Sequence, residues 1–213
     1  MKTSIEKTFK RTLIASAALM GILVSGGNSA SAYDTPIKES EYMAPFKDVN
    51  GTPVFLKKEY YMEPVDFPGH GLKYEQWSTN EWAKLGPERG MTVTFENVLY
   101  NPLGTSIVKI KTDRYDIEFS MGGSVNVAKR HYKYLGAGLD AEGVELRRFM
   151  SDSEAQYWEP IQSANPELAS TNTIAFKNEE KNKFLSYRNS NEWLNVNQPT
   201  INSKTKWRLI PKQ

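Results

Sequence analysis

Cysteine is absent from the 213-residue sequence, which excludes disulfides, thiolate metal sites, cysteine nucleophiles and a lipid-modified cysteine anchor. Histidine is scarce, since only His70 and His131 occur, and their spacing is not that of metal ligands. The charge is nearly balanced, with 27 basic and 25 acidic residues, so net charge gives no reason to expect a nucleic-acid partner. We therefore predict no metal site, no cofactor and no nucleic-acid binding.

Long apolar runs are also rare, and the one in the chain, Leu13–Val24, lies close to its start. Basic residues precede this run, and the small-residue pattern Ala30-Ser31-Ala32 follows it. This order is typical of a secretory signal peptide, here residues 1–32, with a mature chain that starts at Tyr33. A membrane anchor is the alternative, but the run is well short of the roughly 20 residues that a spanning helix needs. We expect a secreted, extracellular protein without a membrane span.

Turn-forming residues are frequent in residues 33–73, and they include Pro36, Pro45 and the pair Asn50-Gly51. This composition predicts a partly irregular N-terminal extension. Such an extension offers a contact surface for a second protein subunit. The rest of the chain, residues 74–213, is long enough for one domain with its own hydrophobic core.

Alternation of apolar and polar residues is the main pattern after the extension. The segment 74–86 is an exception, because Ser78 and Glu81 have capping-box spacing and predict one short helix. From Met91 onward, stretches such as "MTVTFENVLY" and "RYDIEFSM" alternate with a period of two, which indicates half-buried strands. Short strands separated by regular turns predict an all-β domain, either a sandwich or a barrel.

A pattern of about 50 residues occurs twice in the second half of the chain. Tyr134-Leu135-Gly136 returns as Phe184-Leu185-Ser186, and Trp158 returns as Trp207. A third match pairs Val125 and Val127 with Ile174 and Phe176. A unit of this size that ends in a tryptophan-bearing strand cannot bury its own apolar face, so repetition around an axis is needed to close the structure.

A first copy of the unit is expected upstream, in a degenerate form. Lys84-Leu85-Gly86 lies 50 residues before the Tyr134 landmark. No tryptophan stands near position 109, so Val108 or Ile110 would take its place. In that case the segment "EQW" at 75–77 would be a strand and not part of a helix.

The late tryptophans carry a family resemblance. They stand in "QYW" (Gln156-Tyr157-Trp158) and "TKW" (Thr205-Lys206-Trp207), of which only the first keeps glutamine two residues before the tryptophan. The chain resembles the ricin-B-type β-trefoil family, whose repeats carry a late Gln-x-Trp element packed into a shared core. The resemblance covers residues 74–213 and implies a β-trefoil-like domain there. The alternative is a β-sandwich in which the repeat is coincidental.

The same resemblance implies a sugar site built from an early aspartate, a mid-repeat aromatic residue and a later amide. In the copy that begins near Ser124, these are Asp140, Phe149 and Gln156. The last copy has Tyr187-Arg188 where the acid is expected, followed by the amides Asn195 and Asn202. The lack of an acid distinguishes this copy from the family pattern. A simple turn role is the alternative for Asp140.

Trp193 differs from the late tryptophans because it stands among asparagines. An indole can stack on a sugar ring while amides bind the sugar hydroxyls, and packing onto the domain is the alternative for this residue. Trp158 and Trp207, which recur at one repeat position, are predicted to fill the core.

These observations predict a secreted, non-enzymatic binding module for cell-surface glycans or a glycoprotein receptor. Modules of the family it resembles often serve as receptor-binding parts of toxins, so the resemblance allows a role as a bacterial toxin component. Two other classes remain open: a secreted hydrolase that uses His70, and a structural matrix or adhesin protein. No nucleophile-elbow or P-loop pattern accompanies the histidines, and no catalytic residue is predicted.

Overall fold

The computed structural model describes residues 43–100, 106–122, 125–138, 142–148 and 154–213, and the regular elements in these ranges are almost all β-strands. The strands are β1 (Met43–Lys47), β2 (Pro53–Phe55), β3 (Tyr60–Pro64), β4 (His70–Trp77), β5 (Asn80–Gly90), β6 (Thr92–Tyr100), β7 (Ser106–Gly122), β8 (Val125–Ala137), β9 (Val144–Arg148), β10 (Trp158–Ile161), β11 (Ala175–Asn178), β12 (Lys183–Ser186), β13 (Asn195–Gln198) and β14 (Trp207–Pro211). A short helix α1 (Pro166–Thr171) and two 3-10 turns, Glu154–Gln156 and Ser203–Thr205, complete these elements. No helix in the described ranges is long and apolar enough to cross a membrane.

Six of the strands close into a barrel. In order around it they are β3, β6, β7, β10, β11 and β14, and each contact between neighbours is antiparallel. The bridge between Ile174 and Trp207 joins β11 to β14, and β14 returns to β3 with five paired residues from Trp207 to Pro211. Closure removes the exposed edges that an open sheet would have.

Six further strands form three hairpins, β4–β5, β8–β9 and β12–β13, which meet in a cap. The Leu194 amide donates to the Ala83 carbonyl at 2.9 Å, and the Val144 amide donates to the Leu194 carbonyl at 3.2 Å. The strands β5 and β9 pair directly. Ala83, Val144 and Leu194 are all fully buried where the three hairpins meet. A closed six-stranded barrel with a cap of three hairpins is a β-trefoil, so the predicted all-β, β-trefoil-like fold is confirmed and the β-sandwich is excluded.

The two predicted core tryptophans occupy equivalent positions in two repeats. The Trp158 indole N–H donates to the Leu135 carbonyl at 3.0 Å, and the Trp207 indole N–H donates to the Leu185 carbonyl at 3.3 Å. Both indoles are fully buried. Because a buried N–H needs an acceptor, the same hydrogen bond recurs in each repeat. The matches Leu135–Leu185 and Trp158–Trp207 are therefore structurally correct.

The first repeat has Val93 at the position of these tryptophans. Val93 pairs with Tyr60 in the barrel, as Trp158 pairs with Val108 and Trp207 pairs with Ile174. The expectation that Val108 or Ile110 replaces the tryptophan is wrong, because both lie on the neighbouring strand β7. A fixed offset of 50 residues fails here because the connections between the strands differ in length.

Two other landmarks of the repeat are misplaced for the same reason. The residue of the first repeat that is equivalent to Leu135 and Leu185 is Leu72, and not Leu85. Leu72 pairs with Leu85 across its cap hairpin. In the other two hairpins, Leu135 pairs with Leu146, and Leu185 pairs with Val196. In the barrel, the residues equivalent to Ile174 and Phe176 are Val108 and Ile110, and the predicted Val125 and Val127 lie on β8.

The segment 74–86 is a hairpin, which corrects the predicted short helix. β4 and β5 pair over it, and the turn at Ser78-Thr79 places Ser78 at a φ of 57°. Ala83 and Leu85 alternate into the core, and this period of two outweighs the helical capping spacing. Glu81, the second residue of the supposed capping box, binds Arg114 instead.

The expected domain boundary at residue 74 falls inside β4. Within the region 33–73, residues 43–55 include the two-stranded sheet β1–β2, and β3 is the first strand of the barrel. Residues 1–32, the expected signal peptide, lie outside the described part of the chain.

Trp158→Ala and Trp207→Ala should each lower the free energy of unfolding by about 3–5 kcal/mol, because each removes a fully buried indole and leaves a cavity. Urea denaturation measures the change. Trp77→Ala is the matched control: this side chain is 69% exposed, and its loss should change the free energy of unfolding by less than about 0.5 kcal/mol. Similar values for the control and the core variants would contradict the assignment.

Candidate binding surface on the cap

The sequence-predicted site residues do not form one cluster among the described residues. Asp140 and Phe149 lie outside the described part of the chain. Gln156 is 1% exposed, and its amide donates to the carbonyls of Arg147 and Arg148 at 3.4 and 3.2 Å. Its hydrogen bonds therefore tie the end of β9 to the 3-10 turn at Glu154–Gln156. A ligand-binding role for Asp140 and Phe149 stays a prediction.

Asn202 has a capping role in the structure. Its side-chain oxygen accepts from the Lys204 amide at 2.9 Å, and its amide group donates to Gln198 at 2.8 Å. The hydroxyl of Thr205 accepts in turn from the Asn202 backbone amide, which completes a capping box. The residue thus holds the 3-10 turn at Ser203–Thr205, and its ligand-binding role also stays a prediction.

Trp193 and Asn195 lie together on the cap. Trp193 is 38% exposed and forms a backbone bridge with Lys84, whose ammonium lies 5.3 Å from the centre of the indole. The Asn195 amide donates to the Trp193 carbonyl at 2.9 Å. Their ligand-binding role, predicted from the sequence, stays a prediction, and the structure places Lys84 of the first hairpin beside them.

Two further tryptophans, Trp77 and Trp82, were not singled out from the sequence. Trp77 is 69% exposed near the tip of β4, and Trp82 lies on β5, with 6.3 Å between the ring centres. They lie on one face of the hairpin, because Trp77 pairs with Asn80 two residues from Trp82 on β5. The predicted helix over 74–86 would not place Trp77 and Trp82 on one face of a hairpin. The sequence signal for this shared face is the spacing of two residues between Glu75 and Trp77 and between Trp82 and Lys84. In a strand, this spacing places both members of each pair on one face.

The three exposed or partly exposed tryptophans belong to one surface. Glu75 pairs with Trp82 across the hairpin, and its carboxylate lies 2.6 Å from the ammonium of Lys84, which in turn lies over the Trp193 ring. We call Trp77, Trp82, Trp193, Glu75 and Lys84 the cap tryptophan surface. It joins the first and the last hairpin of the cap.

Gly143 supports this surface from the middle hairpin. A Cβ atom at Gly143 would lie 2.5 Å from the Trp82 ring, closer than real contacts allow. Gly143 also forms a backbone bridge with Asn195. All three cap hairpins therefore fix the positions of the indoles, and a rigid support is what a preorganised binding surface needs.

The asparagines around Trp193 are mostly engaged within the protein. Asn189 donates to Glu192 at 3.0 Å, Asn197 donates to Glu142 at 3.0 Å, and Asn197 accepts from Ser186 at 3.1 Å. These amides hold the last hairpin in shape. The indoles, and not the amides, are therefore the main exposed feature of this part of the cap.

The opposite face of the first hairpin carries an ion-pair network. Glu81 lies 2.8 Å from Arg114 and 3.0 Å from Lys133, and Asp116 lies 3.1 Å from Lys133 and 3.0 Å from Arg148. Burial raises the pKa of Glu81, but hydrogen bonds from Arg114 and Lys133 outweigh it, so the pKa is lowered from 4.5. The network ties β7 and β8 to the cap.

His70 begins β4 and packs against Phe67, with 5.9 Å between the ring centres. Its Nδ1 atom is buried and has no hydrogen-bond partner among the described residues. Within the same described ranges, no group of three or more His, Asp or Glu side chains is placed to hold a metal ion. Among the described residues, no hydrogen bond therefore joins the His70 Nδ1 atom to a nucleophile or to an orienting acid.

Comparisons with known proteins agree with the fold. No protein-family model matches the sequence, and neither does any curated protein sequence. Among solved structures, the binding domain of botulinum neurotoxin serotype D matches with a TM-score of 0.56 and 12% identity, over 79% of this chain and 44% of the toxin domain. The serotype D ligand-binding domain in complex with N-acetylneuraminic acid matches with a TM-score of 0.55 and 13% identity, over 79% and 44%.

A third similar structure is the water-soluble chlorophyll protein of Brassica oleracea var. Botrytis with chlorophyll b. Its TM-score is 0.51 and its identity 12%, over 78% of this chain and 98% of that one. The chain thus spans less than half the length of the toxin domains it matches. At these identities the likeness concerns the fold, and the resemblance to β-trefoil modules holds at that level.

Glu81→Gln should lower the free energy of unfolding by about 1–3 kcal/mol at pH 7, because Arg114 and Lys133 lose a charged partner. A carboxyl with a lowered pKa stabilises the fold above its ordinary pKa, and this contribution is lost as the pH falls through the folded-state value. The difference between wild type and variant should therefore shrink below about pH 4.5.

Urea denaturation at pH 7 and at pH 3 measures this difference. Glu88→Gln is the control, because its side chain is 85% exposed and 3.8 Å from Lys73, and such surface pairs contribute little. A Glu81→Gln difference that is unchanged at pH 3 would show that packing, and not charge, is responsible.

Proposed function

We propose that this protein is a non-enzymatic binding module that recognises cell-surface glycans through the cap tryptophan surface. The observation that carries the proposal is the placement of three indoles on one rigid face of the cap, beside a carboxylate and an ammonium. The two remaining tryptophans are buried in the core, whereas Trp77 and Trp193 keep exposed ring area.

The chemistry of this surface suits a sugar ring. The faces of an indole offer flat apolar area with few rotatable bonds to freeze, and the C–H groups of a pyranose can pack against it. Glu75 accepts and Lys84 donates hydrogen bonds, which a ligand rich in hydroxyl groups can use. Asn195 is the predicted amide nearest to this surface along the chain, and its side-chain amide donates to the Trp193 carbonyl.

The comparisons support the proposal at the level of the fold. The similar solved structures are described as receptor-binding, ligand-binding or chlorophyll-binding proteins, and one of them holds N-acetylneuraminic acid. These words describe those proteins. For this chain we infer the same general kind of activity, binding without catalysis.

We further infer a secreted protein that acts as the receptor-binding component of a bacterial toxin, with a second protein subunit as a partner. The order of basic residues, apolar run and small residues in 1–32 supports export. The resemblance to β-trefoil modules supports the toxin role. The glycan proposal does not depend on either inference.

Trp77→Ala and Trp193→Ala should each weaken glycan binding at least tenfold, because stacking on an indole supplies much of the apolar contact. A glycan array identifies the ligand with the wild-type protein, and titration calorimetry then compares the variants. Phe119→Ala is the matched control, since Phe119 is also 69% exposed but lies on another hairpin. It should bind like the wild type.

Two results would contradict the proposed function. If the wild type binds no glycan on the array, the lectin interpretation fails and a protein receptor becomes the better hypothesis. If it binds but Trp77→Ala and Trp193→Ala bind equally well, recognition takes place elsewhere on the domain.

Export predicts a mature protein that begins at Tyr33. Mass spectrometry of the protein from the culture medium of the producing cell measures its mass and N-terminal peptide. Replacing Ala32 with a bulky residue should slow processing, because the cleavage site requires small residues. Recovery of the intact apolar segment Leu13–Val24 in a membrane fraction would instead indicate an anchor.

A further inference from the structure

A hairpin extends from the trefoil where β7 turns into β8. Residues 115–122 of β7 pair with residues 125–132 of β8, from Tyr115 with Tyr132 to Gly122 with Val125. β6 pairs with β7 only as far as Thr112, and β9 pairs with β8 only from Lys133 onward. Neither strand of this part, which we call the hairpin arm, pairs with a third strand among the described residues.

The two faces of the hairpin arm differ in chemistry. Residues that pair across an antiparallel ribbon share a face, and successive residues alternate between faces. One face carries Tyr115, Ile117 and Phe119 opposite Tyr132, Arg130 and Ala128. The other carries Asp116 and Glu118 opposite His131 and Lys129. The arm is therefore an amphipathic ribbon.

The acidic face is occupied within the protein. Asp116 pairs with Lys133 and Arg148 in the network that holds the cap, and Glu118 lies 2.9 Å from His131 and 3.6 Å from Arg148. The acids of the arm are therefore neutralised on that face.

The apolar face is left open. Ile117 is 49% exposed and Phe119 is 69% exposed, and the partner of Phe119 is only an alanine, Ala128, which cannot cover its ring. Adjacent exposed apolar side chains on a protein surface mark a site of interaction with a protein or a membrane. Nothing in the packing of the trefoil requires these two side chains on the outside.

The charged groups that lie over the tyrosines of this face are cationic, and one of them, Lys111, is already paired with Glu96 at 3.4 Å. The guanidinium of Arg130 lies 4.8 Å from the centre of the Tyr115 ring, and the ammonium of Lys111 lies 4.3 Å from that of Tyr132 at the base of the arm. Arg130 has no ion-pair partner among the described residues. No acidic side chain of the described part of the arm shares this face.

We propose that the apolar face of the hairpin arm docks onto a lipid bilayer that contains anionic lipids. Ile117 and Phe119 enter the boundary between headgroups and acyl chains, where apolar side chains lose contact with water. Tyr115 and Tyr132 lie at the headgroup level, as amphipathic aromatic residues do. Arg130 meets the lipid phosphates and carboxylates, whose negative potential attracts basic side chains.

The size of the face favours a lipid surface over a second copy of the chain. An aromatic side chain buries about 150–250 Å² at most, so two exposed side chains and two half-buried tyrosines offer only a few hundred Å². A stable protein interface buries about 800 Å² on each partner. Shallow insertion into a bilayer has no such minimum. The described part of the arm contributes Arg130 and no acid to this face, which suits an anionic surface.

The contact is expected to be shallow. From Tyr115 to Phe119 the arm extends about 13 Å at 3.3 Å per residue, less than half of a bilayer. The outer edges of the ribbon carry unpaired backbone groups among the described residues, and such groups cannot enter the hydrocarbon core without a large cost. The arm therefore lies on the membrane and does not cross it.

The absence of cysteine makes a site-specific test possible. Phe119→Cys in the full chain is labelled with the environment-sensitive fluorophore NBD, and Trp77→Cys, at a site of equal exposure, is labelled as the control. Vesicles of phosphatidylcholine, with or without about a quarter phosphatidylserine, are added to each. We expect a blue shift and at least a doubling of emission at position 119 with the anionic vesicles, and neither at position 77. Because this readout is local, the apolar segment Leu13–Val24 cannot produce it.

The cationic contribution is tested with Arg130→Gln in the Phe119→Cys background. Loss of one basic residue near an anionic surface should weaken partitioning about fivefold. It should leave the smaller response to pure phosphatidylcholine unchanged. Equal melting temperatures of labelled and unlabelled proteins show that the fold is kept.

Three results would overturn the proposal. One is no response at position 119 with either vesicle, and another is the same response at positions 119 and 77. The third is a blue shift at position 119 on concentrating the protein without vesicles, which would assign the face to a second copy of the chain. As a label-free check, vesicle flotation measures the amount of unlabelled protein bound to anionic vesicles. The bound amount of Phe119→Ala should be at least about tenfold lower than that of Trp77→Ala. The vesicles carry no glycans, so failure here leaves the glycan proposal intact.

Discussion

Closure of the barrel by β14 against β3 is the constraint on which the positions of all three cap hairpins depend. The five pairs from Trp207 to Pro211 join the end of the described chain to its first barrel strand. This contact is highly non-local, so the entropy of closing the intervening chain opposes it until the repeats are in place. The buried hydrogen bonds of Trp158 to Leu135 and of Trp207 to Leu185 then attach two of the hairpins to the barrel at equivalent points. In the first repeat, Val93 takes the equivalent position in the barrel without such a hydrogen bond.

Both surfaces that we associate with binding are extensions of hairpins beyond this shared core. Trp82 and Glu81 are neighbours on β5 and so lie on opposite faces of one strand. Trp82 belongs to the cap tryptophan surface, and Glu81 holds Arg114 at the base of the hairpin arm. One short strand therefore supports both features, and a rigid strand positions side chains more accurately than a free loop does.

The sequence predicted the parts of the fold that follow a simple period. Alternation after Met91 gave the strands, and the recurrence of leucine and tryptophan gave the equivalence of the last two repeats. The sequence analysis failed where the repeats differ in length. The hairpin arm lengthens the second repeat, and a fixed offset therefore assigned Val125 and Leu85 to the wrong positions. The analysis also assigned Ser78 to a helix cap. The spacing of Ser78 and Glu81 fits a capping box, but it cannot show that the preceding strand β4 pairs with β5. For the candidate surface, the sequence analysis singled out Trp193 and Asn195 but not Trp77 and Trp82, whose common face exists only once the hairpin forms.

The five tryptophans show why residue type alone does not separate core from binding surface. Trp158 and Trp207 each find a backbone carbonyl for their indole N–H, and full burial then costs no unpaired donor. Trp77 stands beyond the point where β4 contributes to the cap core, so no element covers it. Trp193 lies between these cases, because its backbone is held by Lys84 while its ring remains partly open. Exposure of an indole on a fixed backbone is the condition that stacking on a ligand requires, and in this fold the hairpin strands of the cap meet it.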